Sequence, residues 1–235
     1  MRKIAFIFLS FALITGAFAQ TKTTTKTTTK SKTSVTNGRL VEITTDYGKM
    51  VVKLYDSTPL HRDNFIKLVK QKFYDSLLFH RVIQGFMIQG GDPQSKNADS
   101  AALLGNGEAL GDMIPAEFRA NIYHKKGALA MARTENPEKA SSNCQFYIVQ
   151  GQAYPNAELN NMECQLRQNN PEFYFTDAER KTYTTVGGTP FLDQNYTVFG
   201  EVIKGLDVID KIAAIPADSN NRPLMNVRMK MRMLN

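Results

Sequence analysis

The sequence predicts a mostly β fold, an antiparallel barrel closed by helices. Three observations support this class. Short apolar or alternating segments recur along the chain, two segments have the apolar spacing of amphipathic helices, and strand–helix–strand units do not repeat. The chain has 235 residues, of which 42% are hydrophobic, and this is enough for one substantial domain with its own core.

The predicted strands are separated by turn residues. The first two are expected to form a hairpin around residues 46–49, because apolar positions alternate or run together on both sides of that turn. The last strand alternates apolar with basic residues, so one of its faces should be buried. The strands are expected at Leu40–Thr44, Met50–Tyr55, Phe79–Gln89, Ala128–Ala132, Gln145–Val149, Tyr196–Val202 and Val227–Met233.

Two amphipathic helices are predicted. The first begins at Pro59 with Thr58 as its N-cap, because proline lacks the N–H that the first helical turn leaves unbonded. Its apolar residues follow at the i, i+3 and i+4 spacing of one helix face; they are Phe65, Leu68 and Val69. The second helix carries a similar face through Leu206, Ile209 and Ile212.

The N-terminal segment predicts export. Residues 1–3 give a positive start, residues 4–14 are a mostly apolar run, and residues 17–19 are Ala-Phe-Ala, so residues 1–19 are interpreted as a secretory signal peptide. The apolar run is too short to span a bilayer comfortably, which disfavours an uncleaved anchor. We therefore expect a protein that does not span a membrane and is periplasmic or secreted after cleavage near Ala19.

A Thr/Lys-rich tract at residues 20–36 precedes the folded domain, which is expected at residues 37–235. The tract has a single apolar residue, Val35, so it buries too little apolar surface to offset the entropy lost on ordering. It is interpreted as a disordered linker. Its lysines leave open a weak contact with an anionic envelope surface.

The net charge of +7 belongs to these N-terminal segments and not to the domain. Six of the 29 Lys and Arg residues precede residue 37 and no acidic residue does, which leaves 23 basic against 22 acidic residues, a net charge of +1. A domain with this balance has no compositional reason to bind polyanions. No nucleic-acid partner is therefore expected.

Cysteine and histidine spacing does not indicate a metal site. The two cysteines and three histidines are scattered, unlike the closely spaced ligands of a zinc site. We expect neither a metal nor another cofactor. In an exported protein Cys144 and Cys164 are candidates for a disulfide, and the alternative of two separate thiols stays open.

Residues 79–93 carry the strongest functional signal. They combine the cation Arg81, the amide Gln89 and several large apolar side chains, and they end in a Gly-Gly-Asp-Pro turn. Side chains two apart on a strand share a face, and Gly85 supplies a bend or bulge, so Phe86, Met87 and Gln89 are expected around one pocket. A cation beside an apolar pocket, without a nucleophile, suggests recognition of a neutral, partly apolar group and not hydrolysis.

This segment resembles the signature of the cyclophilin-type peptidyl-prolyl cis-trans isomerases. Three further blocks match in the same order and approximate spacing, at residues 143–148, at 191–193 with 196–202, and at 205–212. The resemblance covers about residues 39–235, with one long insertion at about 152–188. It implies a closed eight-stranded antiparallel β-barrel with a helix capping each end. Because side chains fill the interior of such a barrel, the active site is expected on the outer wall.

The resemblance implies catalysis of rotation about the bond that precedes proline. The nitrogen regains a lone pair when the amide twists, so a donor held against it stabilises the transition state and not the planar ground state. Arg81 is the implied donor, and Gln89 would orient Arg81 or bond the substrate backbone. The implied substrate-binding residues are Phe86, Met87, Ala132, Arg133, Gln145, Tyr147, Phe191, Leu192 and Tyr196.

Several positions depart from the family pattern. Many eukaryotic members have tryptophan where Phe191 stands and histidine where Tyr196 stands, and the family commonly has asparagine at the position of Arg133. Phe191 keeps an apolar wall but lacks an indole donor, so weak binding of cyclosporin is expected while isomerisation survives. Arg133 and the charged loop after it suggest a preference for acidic residues near the proline.

The insertion at residues 152–188 is longer than the family pattern requires. Residues 176–179 have the Thr-x-x-Glu pattern of a capping box, so a helix is predicted from Asp177 to near Val186. Because the insertion leads into Phe191, it is expected beside the proline pocket. A role in substrate preference and a simple surface elaboration both stay open.

Three functions are compatible with these features. The leading hypothesis is an exported, monomeric prolyl isomerase that assists the folding of proline-containing exported polypeptides. The second is a non-catalytic proline-peptide-binding module on the same fold. The third, a nucleic-acid or anionic-surface binder driven by the basic tail, is disfavoured by the charge balance of the domain.

Overall fold

The structure, a computed structural model, describes residues 39–99, 102–107 and 111–234. The predicted signal peptide at residues 1–19 and the predicted linker at residues 20–36 lie outside the described residues. Both stay predictions, as does the N-terminal boundary of the domain.

Eight strands lie within the described residues, and every neighbouring pair runs antiparallel. They are β1 (Leu40–Thr45), β2 (Gly48–Leu54), β3 (Phe79–Ile83), β4 (Met87–Gly90), β5 (Ala128–Met131), β6 (Phe146–Val149), β7 (Val198–Lys204) and β8 (Lys230–Leu234). They form one sheet in the order β3-β4-β6-β5-β7-β2-β1-β8. The mostly β, eight-stranded antiparallel class is confirmed, and β1 and β2 form the predicted hairpin.

The predicted closure of the barrel is wrong, because the curled sheet is open with β3 and β8 as its edges. The chain segments just before these two edge strands pair over a short stretch, in which Ser76 N donates to Met229 O, Met229 N donates to Leu77 O and Phe79 N donates to Val227 O, each at 2.9 Å. Farther along β3, Val82 N donates to Asn221 O at 2.8 Å. The segment before β8 therefore runs along β3 as an irregular loop, and this loop takes the position that a closing strand would need.

Four α-helices lie within the described residues, and three of them were predicted. The two predicted amphipathic helices are α1 (Pro59–Lys70) and α4 (Leu206–Ala213), and both pack their apolar faces into the main core. The two others are α2 (Asn156–Arg167) and α3 (Asp177–Thr185). None of the helices described here is both long and apolar enough to cross a bilayer.

The region 152–188 builds a small helical unit. Helix α3 has the predicted capping box, in which Thr176 accepts from Glu179 N and the Glu179 side chain accepts from Thr176 N. Helix α2 was not predicted, because its few apolar residues are set among Asn, Gln and Glu and no side chain caps its start. The unit has its own buried cluster, formed by Tyr154, Leu159, Leu166, Phe175 and Tyr183.

The sheet carries apolar clusters on both faces. Ile88 and Ile148 belong to the main core together with α1 and α4, whereas Met87 and Tyr147, their neighbours on β4 and β6, belong to a second cluster. This division follows from the alternation of side chains along a strand. The second cluster lies outside the main core, and it forms the floor of the site described below.

The two cysteines are not joined by a disulfide. Cys144 is buried just before β6, whereas Cys164 is exposed on α2. Of the two alternatives that the sequence left open, the structure therefore has two separate thiols.

Candidate active site

Strand register brings the predicted catalytic residues and part of the predicted binding surface into one row. Arg81 of β3 lies opposite Gln89 of β4, Gln89 lies opposite Tyr147 of β6, and Tyr147 lies opposite Ala130 of β5. Residues directly opposite on neighbouring strands point to the same face of a sheet. The row therefore lies on the face outside the main core, as expected for a site on the outer wall.

A β-bulge turns Arg81 toward this face. Phe79 pairs with Gly90 and Arg81 pairs with Gln89, so His80 is the extra residue on β3. With regular alternation Arg81 would share the face of Phe79, which is buried in the main core. Bulges commonly re-aim a side chain in this way next to active sites.

The prediction of one continuous strand from Phe79 to Gln89 is wrong. The structure has two strands, β3 and β4, which are joined by a turn at residues 84–86. Gly85 lies in this turn with φ +75°, a conformation that favours glycine. The bend expected at Gly85 is therefore present, and it reverses the chain so that the two halves of the signature face each other.

The row borders a pocket of about 320 Å³. This volume lies at the lower end of the range for small-ligand sites, roughly 300–1,000 Å³. Nine of the eleven predicted site residues line the pocket: Arg81, Phe86, Met87, Gln89, Ala132, Arg133, Tyr147, Leu192 and Tyr196.

A chain of side-chain amides orients Arg81. Arg81 Nη1 donates to Gln89 Oε1 at 3.1 Å, and Gln89 Nε2 donates to Gln145 Oε1 at 3.2 Å. Gln145 Nε2 in turn lies 3.3 Å from the carbonyl oxygens of Gly105 and Gly107. Burial lowers the pKa of the Arg81 guanidinium, which still carries its charge at neutral pH. Of the two roles suggested for Gln89, the structure shows the geometry of the first, a contact that orients Arg81.

Aromatic rings form much of the apolar side of the pocket. Tyr196 packs edge to face against Tyr147, with ring centres 5.9 Å apart. The Arg133 guanidinium lies 4.8 Å from the centre of the Tyr196 ring, a cation–π distance. The pocket thus has apolar walls with a cation on each of two sides, Arg81 and Arg133.

Two predicted binding residues lie outside this pocket. Phe191 is 39% exposed, and its ring centre lies 5.7 Å from that of Phe86, so it extends the apolar wall beyond the rim. Gln145 lines a neighbouring groove of about 370 Å³, which shares Gln89, Ala132 and Arg133 with the pocket. Pocket and groove therefore adjoin, an arrangement that suits an extended peptide.

A loop that the sequence analysis missed completes the pocket. Leu104, Gly105 and Asn106 line it, and none of them was among the predicted site residues. Asp92 holds the loop, because its Oδ2 accepts from Gly105 N, and a Cβ at Gly107 would lie only 1.9 Å from Asp92 Oδ1. Gly105 and Gly107 are the sequence feature that could have indicated this loop, but the local sequence pattern does not show that they contact Asp92.

The region 152–188 does not itself line the pocket. It is connected to the pocket through residues behind the pocket wall, where Tyr183 of α3 donates a hydrogen bond to Asp193 Oδ2 at 2.6 Å. Asp193 follows Leu192, which is a wall of the pocket. Sequence reasoning missed Asp193 and Tyr183 as partners of the site, because only the fold brings them together.

His80, the bulge residue, gives a testable pH dependence. It is 2% exposed, its ring nitrogens have no hydrogen-bond partner among the described residues, and burial lowers its pKa from 6.5 to about 4. At a pH between these two pKa values, His80 binds a proton in the unfolded chain but stays neutral in the folded protein. The free energy of unfolding therefore falls as the pH is lowered through this window, by about 1.4 kcal/mol per pH unit and about 3 kcal/mol in total.

Urea denaturation of the wild type and of His80→Leu at several pH values measures this contribution. The difference between the two free energies of unfolding should be constant above about pH 7 and should change by about 3 kcal/mol down to about pH 4. Parallel curves would mean that His80 is not held neutral by burial.

The site offers a guanidinium, amides and apolar walls. Within the described part of the chain, no group of three or more His, Cys, Asp or Glu side chains is arranged to hold a metal ion. Fold and site together define a class: a mostly β protein with an apolar pocket, flanked by the cations Arg81 and Arg133, on the outer face of its sheet.

Comparisons with known proteins identify the family within this class. The model of the family described as "Cyclophilin type peptidyl-prolyl cis-trans isomerase/CLD" matches residues 40–232. Proteins named "Putative peptidyl-prolyl cis-trans isomerase" from Staphylococcus haemolyticus and Staphylococcus aureus are 33% and 36% identical to this chain. The matches cover 80% and 78% of this chain and 86% and 85% of those proteins. The chain belongs to the cyclophilin-type peptidyl-prolyl cis-trans isomerase family, and its enzyme class is that of the prolyl isomerases.

Solved structures share the fold. A crystal structure of a cyclophilin-type isomerase from Cryptosporidium parvum matches with a TM-score of 0.61 at 23% identity, covering 84% of this chain and 98% of that one. A second structure of that protein, in the presence of the dipeptide Ala-Pro, matches with a TM-score of 0.60 at the same identity, covering 84% of this chain and 99% of that one. At this identity the similarity shows the fold alone.

Proposed function

We propose that the protein accelerates rotation about the peptide bond before proline, with Arg81 as the group that stabilises the transition state. One observation carries this proposal: the Arg81 guanidinium is half-buried and oriented by Gln89 at the edge of an apolar pocket. The enzyme class of the family supports it. Further support comes from the Cryptosporidium parvum structure in the presence of Ala-Pro, a dipeptide that contains the group we expect in the pocket.

In the proposed mechanism the proline ring rests against Met87, Tyr147 and Leu192 while the preceding residue turns. The prolyl amide has a rotational barrier of about 18–20 kcal/mol, because resonance must be broken. As the bond twists, the nitrogen becomes pyramidal and regains a lone pair, which an Arg81 N–H can meet. The planar ground state offers no such lone pair, so the hydrogen bond lowers the barrier instead of merely binding the substrate.

The energy required is compatible with this arrangement. An acceleration of about 10⁵ corresponds to about 7 kcal/mol. One hydrogen bond from a charged donor supplies roughly 1.5–3 kcal/mol. The remainder is assigned to orientation of the peptide along the pocket and groove, and to the dry pocket, since a twisted amide is less dipolar than a planar one and loses less on desolvation.

A direct test is NMR exchange spectroscopy on an Ala-Pro peptide with catalytic amounts of the protein. We expect the exchange between cis and trans forms, which takes roughly 10–100 s without a catalyst, to accelerate in proportion to protein concentration. Binding of the peptide without faster exchange would favour the alternative, a non-catalytic peptide-binding module.

We propose that the clients are proline-containing segments of exported proteins and that the mature protein acts as a monomer. The support for export is the signal-peptide pattern at residues 1–19, which has a positive start, an apolar run and a small-residue cleavage site. N-terminal sequencing of the protein from cell-envelope and secreted fractions tests this part. A start near Gln20 is expected, and an intact Met1 in cytoplasmic protein would contradict it.

Weak binding of cyclosporin is also proposed, and Phe191→Trp should strengthen it. Phe191 lies at the rim against Phe86, where an indole ring would keep the apolar contact and add an N–H donor. One added hydrogen bond of about 0.5–1.5 kcal/mol corresponds to about 2- to 12-fold tighter binding. Isothermal titration calorimetry measures the dissociation constants, with Phe191→Tyr as the control that adds a hydroxyl instead of the indole N–H. An unchanged constant in the tryptophan variant would contradict this role of the rim.

A further inference from the structure

A buried chain of hydrogen bonds runs from helix α3 to the pocket. Tyr183 OH donates to Asp193 Oδ2 at 2.6 Å, and Asp193 Oδ1 lies 2.7 Å from His124 Nδ1. His124 Nε2 lies 3.0 Å from Tyr147 OH. All four side chains are more than nine-tenths buried, so water does not compete for these bonds.

The chemistry of the groups sets the direction of the two bonds to Asp193. A carboxylate only accepts, so Tyr183 OH and His124 Nδ1 both donate to it. At the other ring nitrogen, His124 Nε2 bonds the Tyr147 hydroxyl, which can donate or accept. Burial raises the pKa of the hydroxyls of Tyr147 and Tyr183 well above the ordinary value, which keeps both protonated.

At the pocket end the chain restrains two walls. The Tyr147 ring is stacked on the His124 ring at an interplanar angle of 11°, and its hydroxyl is tied to the same imidazole. Asp193 also accepts from the backbone N of His124 at 2.9 Å, and this bond fixes the chain immediately after Leu192. A residue that holds Asp193 and His124 therefore sets the distance between the two walls.

At the far end Tyr183 is itself firmly held. Its ring packs edge to face against Phe175 and Tyr123, with ring centres 5.6 and 5.5 Å apart. Its carbonyl oxygen accepts from Tyr154 N at 3.0 Å. A Cβ at Gly188 would lie 2.6 Å from its ring, so the chain after α3 packs directly on it. The helical unit at 152–188 thus presents the Tyr183 hydroxyl in one orientation.

We propose that Tyr183 is a positioning residue for the proline pocket, acting through Asp193 and His124 on Tyr147 and Leu192. The region 152–188 then tunes substrate affinity without touching the substrate. This inference rests on the proposed function for its substrate. It predicts an effect on binding and not on the chemical step, because Arg81 is oriented separately through Gln89 and Gln145.

The test is a double-mutant cycle in the whole chain with Tyr183→Phe and Tyr147→Phe. Each phenylalanine keeps the ring and removes only the hydroxyl at one end of the chain. Tyr183→Phe should raise KM for an Ala-Pro peptide by about 3- to 10-fold and change kcat by less than about 2-fold. In the Tyr147→Phe background the same substitution should raise KM by a clearly smaller factor, since the chain then reaches the pocket only through Asp193 and Leu192.

Tyr174→Phe is the matched control, because Tyr174 lies in the same region, is 65% exposed and is not part of the hydrogen-bonded chain. It should leave KM unchanged. Thermal unfolding of each variant identifies any that is not folded at the assay temperature. The NMR signal of the His124 Nδ1 proton should move in Tyr183→Phe and stay in place in the control.

Two results would overturn the inference: equal effects of Tyr183→Phe on KM in both backgrounds, or loss of stability with KM unchanged. If the wild type does not catalyse exchange, the proposed function fails separately. The dissociation constant of the same peptide then replaces KM in the cycle, with the same expected ratios. A wild type that also fails to bind the peptide would overturn the inference together with the function.

Discussion

Arg81→Ala should lower kcat/KM for an Ala-Pro peptide by about 10²–10³. In the wild type the guanidinium stands half-buried beside the pocket, with Gln89 as its hydrogen-bond partner. The substitution removes the proposed donor to the pyramidal nitrogen. The apolar walls stay, so the loss should appear mostly in kcat, because the missing contact forms in the transition state. NMR exchange spectroscopy at several peptide concentrations separates kcat from KM.

Two matched variants sharpen this experiment. Arg232→Ala removes an exposed arginine at the far edge of the sheet, where it pairs with Glu42, and it should leave the rate unchanged. Arg81→Lys keeps the charge but loses the planar fork of donors that Gln89 orients, so it should recover only part of the activity. Wild-type rates in Arg81→Ala would rule out the proposed mechanism.

Phe65→Ala should lower the free energy of unfolding by about 3–5 kcal/mol. Phe65 is fully buried on α1, and its ring centre lies 5.1 Å from that of Tyr74, 5.6 Å from that of Phe146 and 5.3 Å from that of Phe199. Removing the ring leaves a cavity where three other rings meet. Because the surrounding sheet relaxes only in part, the cost exceeds that of the lost apolar area alone.

Urea denaturation of the wild type and the variant measures this difference. Phe191→Ala is the matched control, since it deletes the same group from a position that is 39% exposed, and it should cost well under half as much. Equal losses in the two variants would contradict the assignment of α1 to the main core.

Most of the fold could be predicted because its signals are local. The alternation along β1, β2 and β8 and the spacing of Phe65 on α1 reflect periods of 2 and 3.6 residues. The site residues were found from the signature at 79–93 and its companion blocks, and nine of them do line one pocket. Their catalytic and binding roles stay predictions until the variants are measured.

The parts that escaped prediction depend on contacts between distant segments. Along the open edge, Val82 N donates to the carbonyl oxygen of Asn221, which lies far along the chain. The bulge at His80 leaves no mark in local composition, although it decides which way Arg81 points. The bond between Tyr183 and Asp193 joins residues only ten apart, but it requires α3 to fold back on the chain after it. The periodicity of the sequence carries no information about such contacts between distant segments.

The irregular loop along β3 affects how the protein would meet its proposed clients, which are polypeptides that have not yet folded. Exposed sheet edges recruit such chains by backbone pairing and so seed aggregates. Here Phe79 N and Val82 N already donate to Val227 O and Asn221 O. The β3 edge of the sheet therefore offers another polypeptide few free backbone groups. We expect this covered edge to keep the proposed clients from pairing with the sheet, so that their contact with the protein is made at the proline pocket.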